Sequence, residues 1–190
     1  MENRTITNRI VIHHTVSSPS TTMEQVEQWH KSQGFACIGY HKFIEMDGTV
    51  KTGRPDWAVG AHAIGANNDS IGICLAGNFE EAPPTSFQMK ALADTIKDIR
   101  RVYGNIPYIG HKDVDPINHP TACPGKLFPW EDLKQRLEVN TVAEEDWKKN
   151  IMSSAQAKGL VEGGKHKPDE PASKWFVLQI ALAVLKLLGK

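Results

Sequence analysis

The sequence predicts an α/β protein with a central mixed β-sheet flanked by helices, followed by a small helical appendage at the C-terminal end. Two observations carry this prediction. Short strand patterns alternate with amphipathic helix patterns over residues 1–138, whereas residues 141–190 carry helix patterns only. We therefore predict a first domain over 1–138 and a small helical domain over 141–190. The length of 190 residues fits this division, since domains are typically about 100–150 residues long.

The composition excludes several classes of protein. Hydrophobic residues make up 40% of the chain and charged residues 23%, which supplies a core and argues against disorder. The 22 Lys and Arg residues balance the 22 Asp and Glu residues, so we expect no nucleic-acid partner. Three cysteines, an odd number, do not make a disulfide framework. The start MENRTITNRI has no apolar run behind its charges, so we expect synthesis in the cytoplasm without a signal peptide.

The N-terminal third predicts a strand, a helix and a hairpin. Residues 9–13 (RIVIH) form a short β-branched run that is typical of a buried strand. A helix is expected over 21–33, because apolar residues recur there at helical spacing between threonines and a glycine. Strands over 39–46 and 49–53 flank Asp47-Gly48, a favoured hairpin turn.

The middle of the chain predicts the central strand and the longest helix. Residues 70–76 (SIGICLA) are nearly continuously apolar, as in a strand buried on both faces. Residues 85–88 (TSFQ) have the form of a capping box and begin an amphipathic helix that Gly104 ends. A short strand over 106–110 and a last helix with apolar residues over 130–137 complete the first domain.

The C-terminal region is different in character. Residues 141–144 (TVAE) form a second capping box that begins a helix to about 158, and a turn-rich link follows. The last helix, over 175–188, is apolar on nearly every side. At ~1.5 Å per residue it is about 21 Å long, against roughly 30 Å of bilayer hydrocarbon, so we expect no membrane span. A packed helix pair is the expectation for this region.

Residues suited to zinc binding lie at three places in the sequence, at strand ends or in a turn. They are the His13-His14 pair, His111 and Cys123. Imidazole and thiolate are ligands that zinc prefers, and a catalytic zinc site uses three protein ligands. Adjacent strand residues point to opposite faces of a sheet, so only one of His13 and His14 can serve a given site. The pattern does not show which of the two it is. The other two cysteines lie in apolar stretches and are predicted to be core residues.

Seven sequence blocks carry a resemblance to a known family. In order over about 7–138 they read IVIHHT, GYH, DGTVKTGRP, GAHA, NNDSIGICLAGNF, GHKDV and TACPG. This pattern resembles the zinc-dependent N-acetylmuramoyl-L-alanine amidases of the type-2 class, which include phage lysozyme-amidases and peptidoglycan recognition proteins. The resemblance implies a zinc cofactor, bacterial peptidoglycan as partner, and hydrolysis of the amide bond between N-acetylmuramic acid and L-alanine.

The resemblance also implies roles for individual residues. His13 is the family's ligand histidine, with His111 and Cys123 completing the metal site. Tyr40 is expected near the metal as the donor to the developing oxyanion, with Thr121 assisting. Four further residues lie in matching blocks and are expected to line the substrate groove, although hydrogen bonding within loops and packing explain them equally well: His62, Arg54, Trp57 and Asn67.

Two other functions stay open at this point. Some proteins of this kind bind peptidoglycan without cutting it, although they typically lack the ligand cysteine that Cys123 provides here. A cysteine hydrolase with Cys123 as nucleophile and His111 as base is the other alternative. A wall-degrading activity without a signal peptide favours a phage or prophage endolysin that reaches the wall after holin-type lysis. A bacterial autolysin exported by another route is the alternative. For the helical region at 141–190, which the resemblance does not cover, wall binding or homodimerisation is the expected role.

Overall fold

The computed structural model describes residues 1–138, so the predicted domain at 141–190 and its role lie outside the described residues. Five strands, two longer helices and a short 3₁₀ helix precede the final helix, α3, at 130–138. In chain order they are β1 (Arg9–His14), α1 (Met23–Ser32), β2 (Lys42–Ile44), β3 (Val50–Thr52), β4 (Ser70–Leu75), α2 (Ser86–Tyr103), β5 (Tyr108–Gly110) and the 3₁₀ helix (His111–Asp113).

The five strands form one mixed sheet in the order β3-β2-β4-β1-β5. The pairs β2–β4, β4–β1 and β1–β5 are parallel, and only the hairpin pair β2–β3 is antiparallel. Parallel pairing places the carboxyl ends of β1, β4 and β5 at one edge of the sheet, where α/β proteins commonly bind ligands. The predicted mixed sheet with flanking helices is confirmed.

Both long helices begin as the sequence predicts. The hydroxyl of Thr22 accepts from the Gln25 backbone N–H, and the Gln25 side chain accepts from the backbone N–H of Thr22. Thr85 and Gln88 form the same reciprocal pair at the start of α2. These contacts satisfy N–H groups that have no partner within the helix.

The alternation of side chains along the strands divides the core into two layers. Even-numbered residues of β1 face α2, and odd-numbered residues, His13 included, face the opposite side. The layer under α2 and α3 contains Ile10, Ile12, Ile44, Ile71, Ile73, Leu75, Met89, Leu92, Ile96 and Leu133. On the other side, Val26 of α1 packs with Phe43 and Cys74.

Some strand predictions are too long, and one burial prediction is wrong. The first hairpin strand is only Lys42–Ile44, because the Gly39 N–H bonds to the His30 ring at 2.9 Å rather than to a neighbouring strand. Cys37 is half-buried in the loop after α1 rather than a core residue, whereas Cys74 is fully buried. Over residues 1–138, none of the helices has the length and apolar character needed to cross a membrane.

Candidate metal centre

Three segments bring His13, His111 and Cys123 to one edge of the sheet. His13 lies near the end of β1, and His111 directly follows the neighbouring parallel strand β5. The Gly110 N–H donates to the Asp113 carboxylate at 3.0 Å, which closes the turn that carries His111. Cys123 arrives from the loop that follows. Parallel pairing therefore explains why residues about 100 positions apart meet.

The ligand atoms of these three residues form a tight cluster. One atom from each of His13, His111 and Cys123 lies within 4.8 Å of the others. Cys123 Sγ is 3.7 Å from His13 Nδ1, and the two imidazole ring centroids are 4.7 Å apart. His14 points to the opposite face, where its Nδ1 accepts from the Phe79 N–H at 3.0 Å. The structure thus brings His13, rather than His14, to the cluster.

Backbone contacts hold the cysteine loop in place. The Lys112 N–H donates to the Cys123 carbonyl at 2.8 Å, which ties the loop to the turn carrying His111. The Leu127 N–H donates to the Phe79 carbonyl at 2.9 Å. Gly125 has φ +104°, and a Cβ there would lie 2.5 Å from the Phe79 carbonyl carbon. Only glycine allows the two backbones to approach this closely.

Burial sets the protonation of the cluster. It lowers the pKa of His13 well below 6.5 and also lowers that of His111, so both rings are neutral at pH 7. Burial raises the pKa of Cys123 to about 12, although a backbone hydrogen bond from His14 opposes it. Two neutral imidazoles and one thiol are a donor set that fits zinc, and metal binding would displace the thiol proton. A nucleophilic cysteine needs a lowered pKa, so this environment disfavours the cysteine-hydrolase alternative.

Tyr40 and Thr121 lie beside the cluster. The Tyr40 ring centroid is 5.1 Å from that of His13. Burial raises the Tyr40 pKa well above 10, and the Cys74 and Cys123 thiols raise it further, so the phenol stays a hydrogen-bond donor at neutral pH. The Thr121 hydroxyl accepts from the Cys123 N–H at 3.2 Å, which fixes the turn that presents the thiol.

Two of the predicted groove residues differ in exposure. The Arg54 guanidinium is half-buried and donates to the carbonyls of Ile38 and Val59 at 2.9 and 2.8 Å. It therefore joins the loop before β2 to the loop after β3. Trp57 is 54% exposed, which leaves its indole accessible to a ligand.

The other two predicted groove residues lie deeper. His62 is buried, and its Nδ1 is 3.0 Å from His13 Nε2. Asn67 Oδ1 accepts from the backbone N–H groups of His62 and the next residue, at 2.8 and 3.0 Å. Sequence reasoning missed Ser70 and Gly72, which border His62. The signal is present in β4, where small residues at 70, 72 and 74 alternate with large aliphatic ones.

Comparison with known proteins assigns the family. Residues 2–126 match the N-acetylmuramoyl-L-alanine amidase family. The endolysin of Enterobacteria phage T3 is 36% identical over 150 residues, or 75% of this chain and 93% of that protein. Peptidoglycan-recognition protein SC2 of Drosophila melanogaster is 35% identical over 136 residues, or 65% and 71%. The solved structure of N-acetylmuramoyl-L-alanine amidase LysC from Clostridium intestinale URNW is 40% identical, with a TM-score of 0.64 over 70% of this chain and 85% of that one. The chain belongs to the N-acetylmuramoyl-L-alanine amidase family.

Proposed function

We propose that this amidase holds zinc through His13, His111 and Cys123 and hydrolyses the bond between the lactyl group of N-acetylmuramic acid and L-alanine. The observation that carries the proposal is the convergence of two imidazoles and one thiol within 4.8 Å in a chain of this amidase family. The chemistry that zinc supplies in such a site is polarisation of a carbonyl and acidification of water.

The protein's own residues then have separable tasks. The two neutral histidines offer lone pairs without losing a proton, and Cys123 binds as a thiolate after releasing one. Negative charge develops on the substrate carbonyl oxygen when water adds to the amide. The Tyr40 hydroxyl donates to that oxygen, and Thr121 assists by holding the cysteine turn and offering its own hydroxyl.

The phage relative supports a role as an endolysin, since this chain covers 93% of its length. Such an enzyme is made in the cytoplasm of the infected cell and reaches peptidoglycan after release through a membrane lesion of the holin type.

Trp57, with its exposed indole, is the accessible candidate among the four predicted groove residues. For residues 141–190 the proposed role is wall binding or homodimerisation. A truncation after residue 138 distinguishes the two: loss of wall affinity indicates wall binding, and a halved mass in solution indicates homodimerisation.

The test combines metal analysis with mass spectrometry of digested walls. We expect one zinc ion per chain, loss of wall lysis in EDTA, recovery with added zinc, and stem peptides that begin with a free L-alanine amino group. Binding to walls without release of stem peptide would instead identify a non-catalytic binding module. Lysis that survives EDTA and is lost on thiol alkylation would identify a cysteine hydrolase.

A further inference from the structure

His62 is held on both sides of its ring. Its side chain is buried, and its Nδ1 lies 3.0 Å from Nε2 of His13, itself only 1% exposed. On the other side, Nε2 lies 3.4 Å from the Ser70 hydroxyl oxygen, and that hydroxyl donates to the Ala66 carbonyl at 2.5 Å. Both ring nitrogens therefore face protein atoms rather than an open groove.

The surrounding backbone forms a slot for this ring. A Cβ at Gly60 or at Gly72 would lie 2.5 Å from Cδ2 of His62, so any larger residue at either position would displace the imidazole. Asn67 holds the His62 backbone N–H at 2.8 Å and accepts the Gly60 N–H at its own carbonyl at 3.0 Å. Two glycines and one asparagine thus fix the ring against β1 and β4.

The hydrogen bonds around His62 run in one direction, because the Ser70 hydroxyl gives its proton to the Ala66 carbonyl and can only accept from the His62 ring. His13 Nδ1 faces Cys123 Sγ, so it is the nitrogen that offers a lone pair to a metal, and the ring proton must lie on Nε2. His13 Nε2–H then donates to His62 Nδ1. His62 Nε2–H donates in turn to Ser70, whose hydroxyl proton goes to Ala66. Every donor in this series meets an acceptor.

We propose that His62 is a positioning residue, which fixes His13 as the Nε2–H tautomer and orients its Nδ1 toward the metal. This inference rests on the proposed zinc site at His13, His111 and Cys123. It assigns His62 to the support of a ligand rather than to the substrate groove. Partners that orient a metal ligand in this way typically contribute about 10- to 100-fold to metal affinity.

Two substitutions at the same position test the role. His62→Phe keeps a flat ring in the slot between the glycines but removes the acceptor for His13. We expect it to weaken zinc binding about 10- to 100-fold, measured by competition with a chelating dye. His62→Asn places an amide oxygen near the position of Nδ1, and we expect it to restore most of the lost affinity. His119→Phe is the matched control, since this exposed histidine lies on the loop between two ligands and should leave zinc affinity unchanged.

A second readout follows the proton directly. The ¹⁵N shifts of His13 in the zinc-free protein should show a single Nε2–H tautomer, and His62→Phe should produce a mixture. Ser70→Ala is a milder change for the case that His62→Phe does not fold. It removes the acceptor for His62 Nε2–H and should weaken zinc binding about 2- to 10-fold.

The outcomes separate this inference from the proposed function. Failure of the unmodified protein to bind zinc would overturn both. Normal zinc binding by the unmodified protein, with equal affinity and an unchanged His13 tautomer in His62→Phe, would overturn the positioning role alone. A rise in KM for wall fragments at unchanged zinc affinity would also overturn it and return His62 to the substrate groove.

Discussion

Replacement of Tyr40 by phenylalanine tests the proposed oxyanion donor. The change removes one oxygen and leaves the ring beside His13, where the centroids are 5.1 Å apart. Because Tyr40 is not among the clustered ligand residues, zinc content should stay at the level of the unmodified protein. Loss of one donor to a developing oxyanion typically lowers turnover ~10²–10³-fold, which is about 2.7–4 kcal/mol in activation free energy.

The structure also predicts how this loss depends on pH. Burial holds the Tyr40 pKa well above 10, so the phenol is protonated throughout the neutral range. The ratio of unmodified to Tyr40→Phe turnover should therefore be the same at pH 6 and pH 8. Stability should change little, since removal of one weakly bonded hydroxyl costs only about 1 kcal/mol.

The assay measures release of stem peptide from purified walls under saturating conditions, together with zinc content. Tyr108→Phe is the matched control, because this tyrosine stacks on Trp130 within the core layer under α2. It should keep full turnover. Turnover of Tyr40→Phe within about threefold of the unmodified protein, with zinc present, would refute the donor role.

Two further predictions concern stability. Burial lowers the pKa of His41 from 6.5 to about 4. As the pH falls, the ring therefore takes up a proton in the unfolded protein before it does so in the folded protein. The folded protein loses stability between pH 6.5 and pH 4 as a result. Urea unfolding in EDTA should show a free energy of unfolding about 2 kcal/mol lower at pH 5 than at pH 7, and equal values would contradict this reasoning. Gly125→Ala combines a positive φ with a clash against the Phe79 backbone, so it should destabilise the fold by more than about 2 kcal/mol and weaken zinc binding. Gly34→Ala shares the positive φ but meets no atom within 4 Å, so it should cost only about 1 kcal/mol, and equal losses in the two variants would rule out the clash.

Much of the fold follows from local patterns in the sequence. The capping boxes at Thr22 and Thr85 and the apolar run of β4 act within a few residues, so their positions are predicted well. Strand ends are predicted less well, because the backbone partner of Gly39 is a side chain of α1 rather than another strand. Such a contact depends on packing that no local pattern contains.

The site shows the same division between local and long-range information. The sequence indicates zinc-type ligands, but alternation alone leaves His13 and His14 equivalent. The choice depends on which face receives the cysteine loop, which is a long-range contact. Cys123 Sγ lies 3.7 Å from His13 Nδ1, whereas His14 accepts from the Phe79 N–H on the opposite face. The surroundings of His62 are hidden for a similar reason, since its partner His13 lies on β1, 49 residues earlier in the chain.

The anchoring of the cysteine loop has a practical consequence. The thiol is positioned by the bond from Lys112 to Cys123, which closes the loop around residues 114–120, and by the bond from Leu127 to Phe79. Residues 114–120 make neither bond. Ile117 within it is 87% exposed. Insertions there need only close a longer loop, whose entropy grows slowly with length. This stretch is therefore a suitable place to graft a fluorescent label or a peptide that redirects the enzyme to another bacterial surface.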